Sequence, residues 1–256
     1  MMNHRELKAL LDRGVELCNR PFFVDSDPVF VPHRFSAADD REIAGFLVAS
    51  IAWGTRKGIL RSGMRLMELM DMSPAGFVRG FSENDLMPFR GFVHRTFRYA
   101  DLETFLYALK HIYQKYGSLE QVFFEGYRRG GSMKEAIVHF RNEFFQIPHL
   151  LRTRKHVSDP GSGSAAKRIN MFLRWMVRKD NRGVDLGIWN AFSPGQLFCP
   201  LDVHSGRMAR QLGLLTRKQN DWKAVEELTD RLREFDPADP VKYDFALFGM
   251  GVCGEA

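Results

Sequence analysis

The 256-residue chain is 45% hydrophobic and 27% charged, the balance of a folded globular protein rather than a disordered one. Three scattered cysteines, Cys18, Cys199 and Cys253, argue against a disulfide framework, a CxxC-type zinc site and a four-cysteine iron–sulfur cluster, and point to a reducing, cytoplasmic compartment. A net charge of +6 favours a polyanionic partner, nucleic acid first, and no apolar run marks a signal peptide or a membrane span.

Helical periodicity runs from end to end. Leu7, Leu10, Leu11, Val15 and Cys18 give an amphipathic helix with spacings of three and four. Asp39 or Asp40 is placed to cap a second helix, whose apolar face carries Ile43, Phe46, Leu47 and Ile51 and which runs out at Trp53-Gly54-Thr55. A third spans about 57–70, and Ser73-Pro74 reads as an N-cap with proline at the first helical position. The helix over 102–116 stops at Gly117, Ser118 caps the next, and Ser132-Met-Lys-Glu135 is a capping box for a helix reaching Phe145. A basic run, Leu151 to His156, leads into the turn Ser158-Asp-Pro-Gly-Ser-Gly-Ser164. Helices follow over about 165–178, 203–213, 221–235 and 240–252. The expectation is an all-α fold. Two lobes are expected, the first over roughly 30–150 and the second over 151–256 with the N-terminal helix packed on it.

Residues 159–210 carry the chemistry. Gly161 and Gly163 can take positive φ, and amides exposed there, with Ser164 and the positive end of the following helix, offer a phosphate site that Arg168 and Arg207 extend. A plain inter-helix turn fits the same residues. Ile169, Phe172, Leu173 and Met176 form the buried stripe of the next helix, while Lys167, Asn170, Arg174 and Arg178 lie on a polar face. Lys167 opens that helix, where the dipole's positive end disfavours an ammonium and so suits a nucleophilic amine; a solvated surface lysine is the plain alternative. Asp202 precedes a helix and is expected to cap it, a role that also keeps a carboxylate ionised and aimed. His204 is expected to pack or hydrogen-bond within that helix.

Together these residues resemble the helix-hairpin-helix DNA glycosylase superfamily. Pro160-Gly161-Ser162-Gly163 matches its hairpin, Lys167 its catalytic lysine, and Leu201-Asp202-Val203-His204 the segment that supplies its aspartate. The archaeal 8-oxoguanine glycosylase branch is most similar, with a second basic residue seven positions after the lysine, as Arg174 is here. The whole chain also resembles an uncharacterised bacterial family of conserved hypothetical proteins related to those enzymes. Two features depart from the superfamily pattern: Asp159 and Ser162 stand at usually apolar hairpin positions, and Lys167 follows Gly163 by four residues rather than two.

The resemblance implies a two-lobed glycosylase-like fold with an atypical helix-hairpin-helix. It also implies a DNA glycosylase/lyase that excises an oxidised base through a lysine Schiff base. Lys167 and Asp202 would be catalytic, and Trp53 and Arg56 would lie near the loop that wedges into double-stranded DNA. Trp189 and Arg174 would line the base pocket together with Asp239 and Tyr243, which lie four apart on one helix. The chemistry needs no metal and no organic cofactor, and the chain is expected to act as a monomer. A non-catalytic nucleic-acid-binding protein on the same fold is the alternative.

Overall fold

The computed structural model describes residues 2–253; the side chains of 251–253, Cys253 among them, lie outside that description. In chain order the α-helices are α1 (His4–Cys18), α2 (Pro21–Val24), α3 (Phe30–His33), α4 (Ala38–Ser50), α5 (Arg56–Leu69), α6 (Pro74–Gly80), α7 (Tyr99–Tyr116), α8 (Leu119–Gly130), α9 (Met133–Phe144), α10 (Lys167–Val177), α11 (Val203–Gln211), α12 (Trp222–Arg233) and α13 (Tyr243–Cys253). Strands β1 (Val93–His94) and β2 (Phe97–Arg98) form a small antiparallel hairpin. The fold is all-α. No helix among the described residues is long and apolar enough to cross a membrane.

The chain forms two compact units, one of residues 24–158 and the other of residues 1–23 with 159–256. The 24–158 unit is built on phenylalanine. Phe46 of α4 meets Phe105 of α7 and Phe140 and Phe144 of α9, with ring centroids 5.4–5.8 Å apart, and Phe123 of α8 stacks on Phe140 at 4.4 Å. Such ring pairs add roughly 0.5–1.5 kcal/mol each beyond their buried area. Ionisable groups are built into this core, Glu42 among them. The Glu42 carboxylate accepts from the amides of Leu119 and Glu120, the opening residues of α8, and from the Tyr113 hydroxyl. It thereby satisfies donors that a helix start leaves open. Burial, then the neighbouring Glu42 charge, pushes the Tyr113 hydroxyl well above its ordinary value.

Local signals placed most elements, with corrections. Ser118 and Ser132 accept from the amides of Gln121 and Glu135, as their positions predict. Asp39 and Asp40 do not cap α4; Ala37 holds that position, while Asp39 pairs with Arg79 and Asp40 accepts from the Ala75 amide. Ser73 holds the N-cap position before Pro74 as expected, but makes no side-chain capping bond.

In the second unit α1 packs along α13, and α11 packs on α13 as well. Helix α10 ends where the chain turns back on it. The amides of Leu186 and Gly187 reach the Trp175 carbonyl, and that of Trp189 reaches Met176. These bonds satisfy carbonyls that the helix end leaves open and carry Asp185 alongside α10.

Candidate active site

Lys167 is the first residue of α10 and Asp202 the N-cap of α11, and the lysine Nζ lies 3.8 Å from Asp202 Oδ2. Both side chains are about 30% exposed, so the pair is reachable from solvent. Asp202 Oδ1 is committed to the helix, accepting from the amides of His204 (2.8 Å) and Ser205 (3.0 Å), while Ser205 Oγ accepts from the Asp202 amide. The carboxylate is thus divided: one oxygen fixes its direction and the other faces the amine. Burial alone would raise its pKa, but the Lys167 charge and the two amides outweigh burial and hold it below the ordinary carboxylate value.

A single segment, 220–222, ties both halves of the pair in place. The Asn220 side chain donates to the Asp202 carbonyl at 2.8 Å, and the Trp222 amide donates to the Gly163 carbonyl at 2.9 Å in the turn before α10. Arg210 secures this segment by bonding the carbonyls of Arg217 and Lys218 and the Asn220 side chain. Ala166, immediately before Lys167, is buried and held at φ +46°, a left-handed conformation that costs a non-glycine residue on the order of 1 kcal/mol. The strain sits where the direction of the lysine is set.

The turn itself serves the protein more than an anion. Gly163 takes positive φ (+89°) and Gly161 does not. The Gly161 amide is occupied by the Asp159 side chain at 2.9 Å, which also accepts from Ser162 Oγ. Ser164 Oγ accepts from the Ala166 amide. The basic run before the turn, Leu151–His156, forms a 3-10 helix. Burial pushes the Arg168 guanidinium down to about 10, whereas Arg207 is exposed.

Beyond Lys167, the polar face expected on α10 is buried. Arg174 donates to Asp185 and Asp244; Arg178 pairs with Asp180, Asp185 and Asp239. Arg174 is therefore an internal cross-link. Its position beside Phe245, with the guanidinium 4.2 Å from the ring centroid, adds a cation–π contact. Asp244 is buried, and burial raises its carboxyl to about 6 despite the opposing charges of Arg174 and Lys167. Asp239 is raised by burial too, against the pull of Arg178.

Of the residues expected to line a pocket, Trp189 is buried against Phe172 and Phe192, and Tyr243 is buried with its hydroxyl 3.1 Å from Asp12. Asp239 precedes a 3-10 turn, so it does not share α13 with Tyr243. His204 is exposed instead of packed. Trp53 and Arg56 belong to the 24–158 unit, where Arg56 opens α5 and the half-buried Trp53 stacks on His156 with centroids 5.5 Å apart. Cys199 is no rival nucleophile: it is buried, and burial pushes its thiol well up. Asp185 and Asp244 escaped sequence reasoning. The available signal was a lone carboxylate inside an apolar run, Val184-Asp185-Leu186 and Tyr243-Asp244-Phe245.

Residues 27–253 match the family described as "protein of unknown function (DUF2400)". The chain belongs to this family. No curated protein and no solved structure matches the chain.

Proposed function

We propose that this DUF2400 chain is a DNA glycosylase/lyase that removes an oxidised base, with Lys167 as nucleophile and Asp202 as its partner. The observation that carries this reading is the amine–carboxylate pair at two helix starts, 3.8 Å apart and open to solvent, with one carboxylate oxygen left for the lysine. A base stacked in a duplex is unreachable, so its nucleotide must first be rotated out, at a cost of a few kcal/mol. The Lys167 nitrogen then bonds to the anomeric carbon as the glycosidic bond breaks. The lysine gives up a proton, and the base leaves with one. Asp202 stabilises the positive charge that develops on the sugar. Ring opening converts the adduct to a Schiff base, from which β-elimination cleaves the strand. Family resemblance favours a purine such as 8-oxoguanine as the base.

The test is borohydride reduction in the presence of duplexes bearing 8-oxoguanine or an abasic site. Wild-type protein is expected to give a covalent adduct and Lys167→Ala none. Absence of any wild-type adduct on either duplex would overturn the enzymatic reading. A non-catalytic DNA binder would then stand, a reading favoured by Asp159, whose carboxylate occupies a hairpin amide that a phosphate would need. In that case duplex affinity would fall steeply with salt although nothing is trapped.

A further inference from the structure

The 24–158 unit carries a basic surface assembled from three separate stretches, 53–57, 93–98 and 150–155. Trp53 joins them: its ring stacks on His156 at the end of the third stretch and meets His94 of the second edge-on, with centroids 5.4 Å apart. Arg152 donates to the Thr96 carbonyl at 2.8 Å and closes the arrangement. These stretches hold seven arginines and lysines and no aspartate or glutamate. The Asp101 carboxylate, which meets the second and third stretches, is fully buried and engaged by Thr153, Arg152 and the Arg98 amide.

Arg95 is the most informative member. It sits at the tip of the β1–β2 hairpin with φ +54°, a conformation that favours glycine. Its side chain lies along Gly54, where a Cβ would come within 3.0 Å of Arg95 Cδ, and Gly54 itself has φ +104°. The exposed arginine is thus laid against Gly54, the residue that follows Trp53, and among the described residues no carboxylate pairs with it. Val93, Leu150 and Leu151 are exposed on the same stretches. Guanidiniums interleaved with an aromatic ring and aliphatic side chains suit a chain of phosphates alternating with sugars and bases.

We infer that this surface is a DNA contact in which Arg95 binds a backbone phosphate. The inference rests on the DNA-directed reading above but needs no chemistry at Lys167. The experiment measures binding of a labelled, undamaged duplex by fluorescence anisotropy over a series of salt concentrations, alongside thermal unfolding. Arg95→Ala is expected to weaken binding by about three- to ten-fold and to reduce the salt slope by about one. Arg95→Lys should retain most of the affinity. Arg95→Gly should bind as weakly as Arg95→Ala while unfolding about 2 °C higher, because glycine relieves the turn.

Wild-type affinity retained in both Arg95→Ala and Arg95→Gly would overturn the inference, and so would equal binding of polyglutamate in place of DNA. The two proposals fail separately. Duplex binding that depends on Arg95 without borohydride trapping sinks the glycosylase and leaves this surface standing. Trapping with no dependence of affinity on Arg95 does the reverse.

Discussion

Each unit of this protein places a carboxylate at the start of a helix, and the two carboxylates are used differently. Glu42 is buried and reaches the start of α8 from another helix; both of its oxygens take backbone amides, and one also takes a phenol. Asp202 caps its own helix, spends Oδ1 on two amides and turns Oδ2 to a lysine 3.8 Å away, with a third of its side chain exposed. A saturated carboxylate holds a fold together. One that is half committed and half open has its direction fixed at little cost and keeps an oxygen for something else. The arginines of α10 extend the contrast, since Lys167 at the helix start stays accessible while Arg174, two turns on, is locked between Asp185 and Asp244.

The largest expected loss of stability comes from breaking the locked end. Arg174→Met would leave the buried Asp244 carboxylate without its cation and Asp185 with Arg178 alone, a change that costs roughly 3–5 kcal/mol when one partner of a buried pair is removed. Urea unfolding at neutral pH checks this, and a loss under 1 kcal/mol would mean that the arginine is not the cross-link its contacts indicate. Next comes Glu42→Ala, which leaves two helix-start amides and the Tyr113 hydroxyl unsatisfied, for a loss of about 3 kcal/mol. Borohydride trapping measured below the unfolding transition should be unaffected, because Glu42 belongs to the framework. If trapping falls with stability intact, the division between framework and site carboxylates fails.

Those two substitutions mark the limits of what the sequence disclosed. The helix over α10, its apolar stripe and the capping role of Asp202 were legible because period, turn residues and N-cap chemistry are local. So were Ser118, Ser132 and Gly117. The destination of the polar face of α10 was not, because its partners come from a returning loop at 180–185 and from 239 and 244, and nothing local separates a solvated arginine from one that meets them. The β1–β2 hairpin escaped for a different reason. Two-residue strands carry no alternation to detect, and its tip is an arginine where turn chemistry calls for glycine. Pairing of Lys167 with Asp202 was reached through family resemblance rather than spacing, since 220–222, which ties them, bears no signal of that role.

A third expectation concerns pH. Asp244 is raised from 3.8 to about 6 in the folded protein, so between those values the native state holds a proton that the unfolded chain has released. Stability from this group is therefore full below the ordinary carboxylate value and declines as pH rises through about 6, by up to roughly 2–3 kcal/mol at about 1.4 kcal/mol per unit. Asp202, lowered, acts in the opposite sense: its contribution is present above 3.8 and disappears as pH falls through its folded value. Denaturation midpoints of wild type should decline between pH 4 and 6, and those of Asp244→Asn should not. An unchanged profile would assign the decline to another group.

The smallest expected effect on stability is at Asp202 itself, and it separates the roles most sharply. Asparagine caps a helix about as well as aspartate, and the amides of His204 and Ser205 can still be met by an amide oxygen. Asp202→Asn should therefore unfold within about 1 kcal/mol of wild type, the loss coming mainly from the half-exposed contact with Lys167, which solvent screens. Borohydride trapping and strand cleavage should nonetheless slow by about 10²–10³-fold, since the oxygen facing the lysine no longer carries the charge that stabilises a cationic sugar. If stability drops by 3 kcal/mol while trapping continues at the wild-type rate, Asp202 is a second Glu42, a carboxylate used up by the fold, and the chemistry must be sought elsewhere.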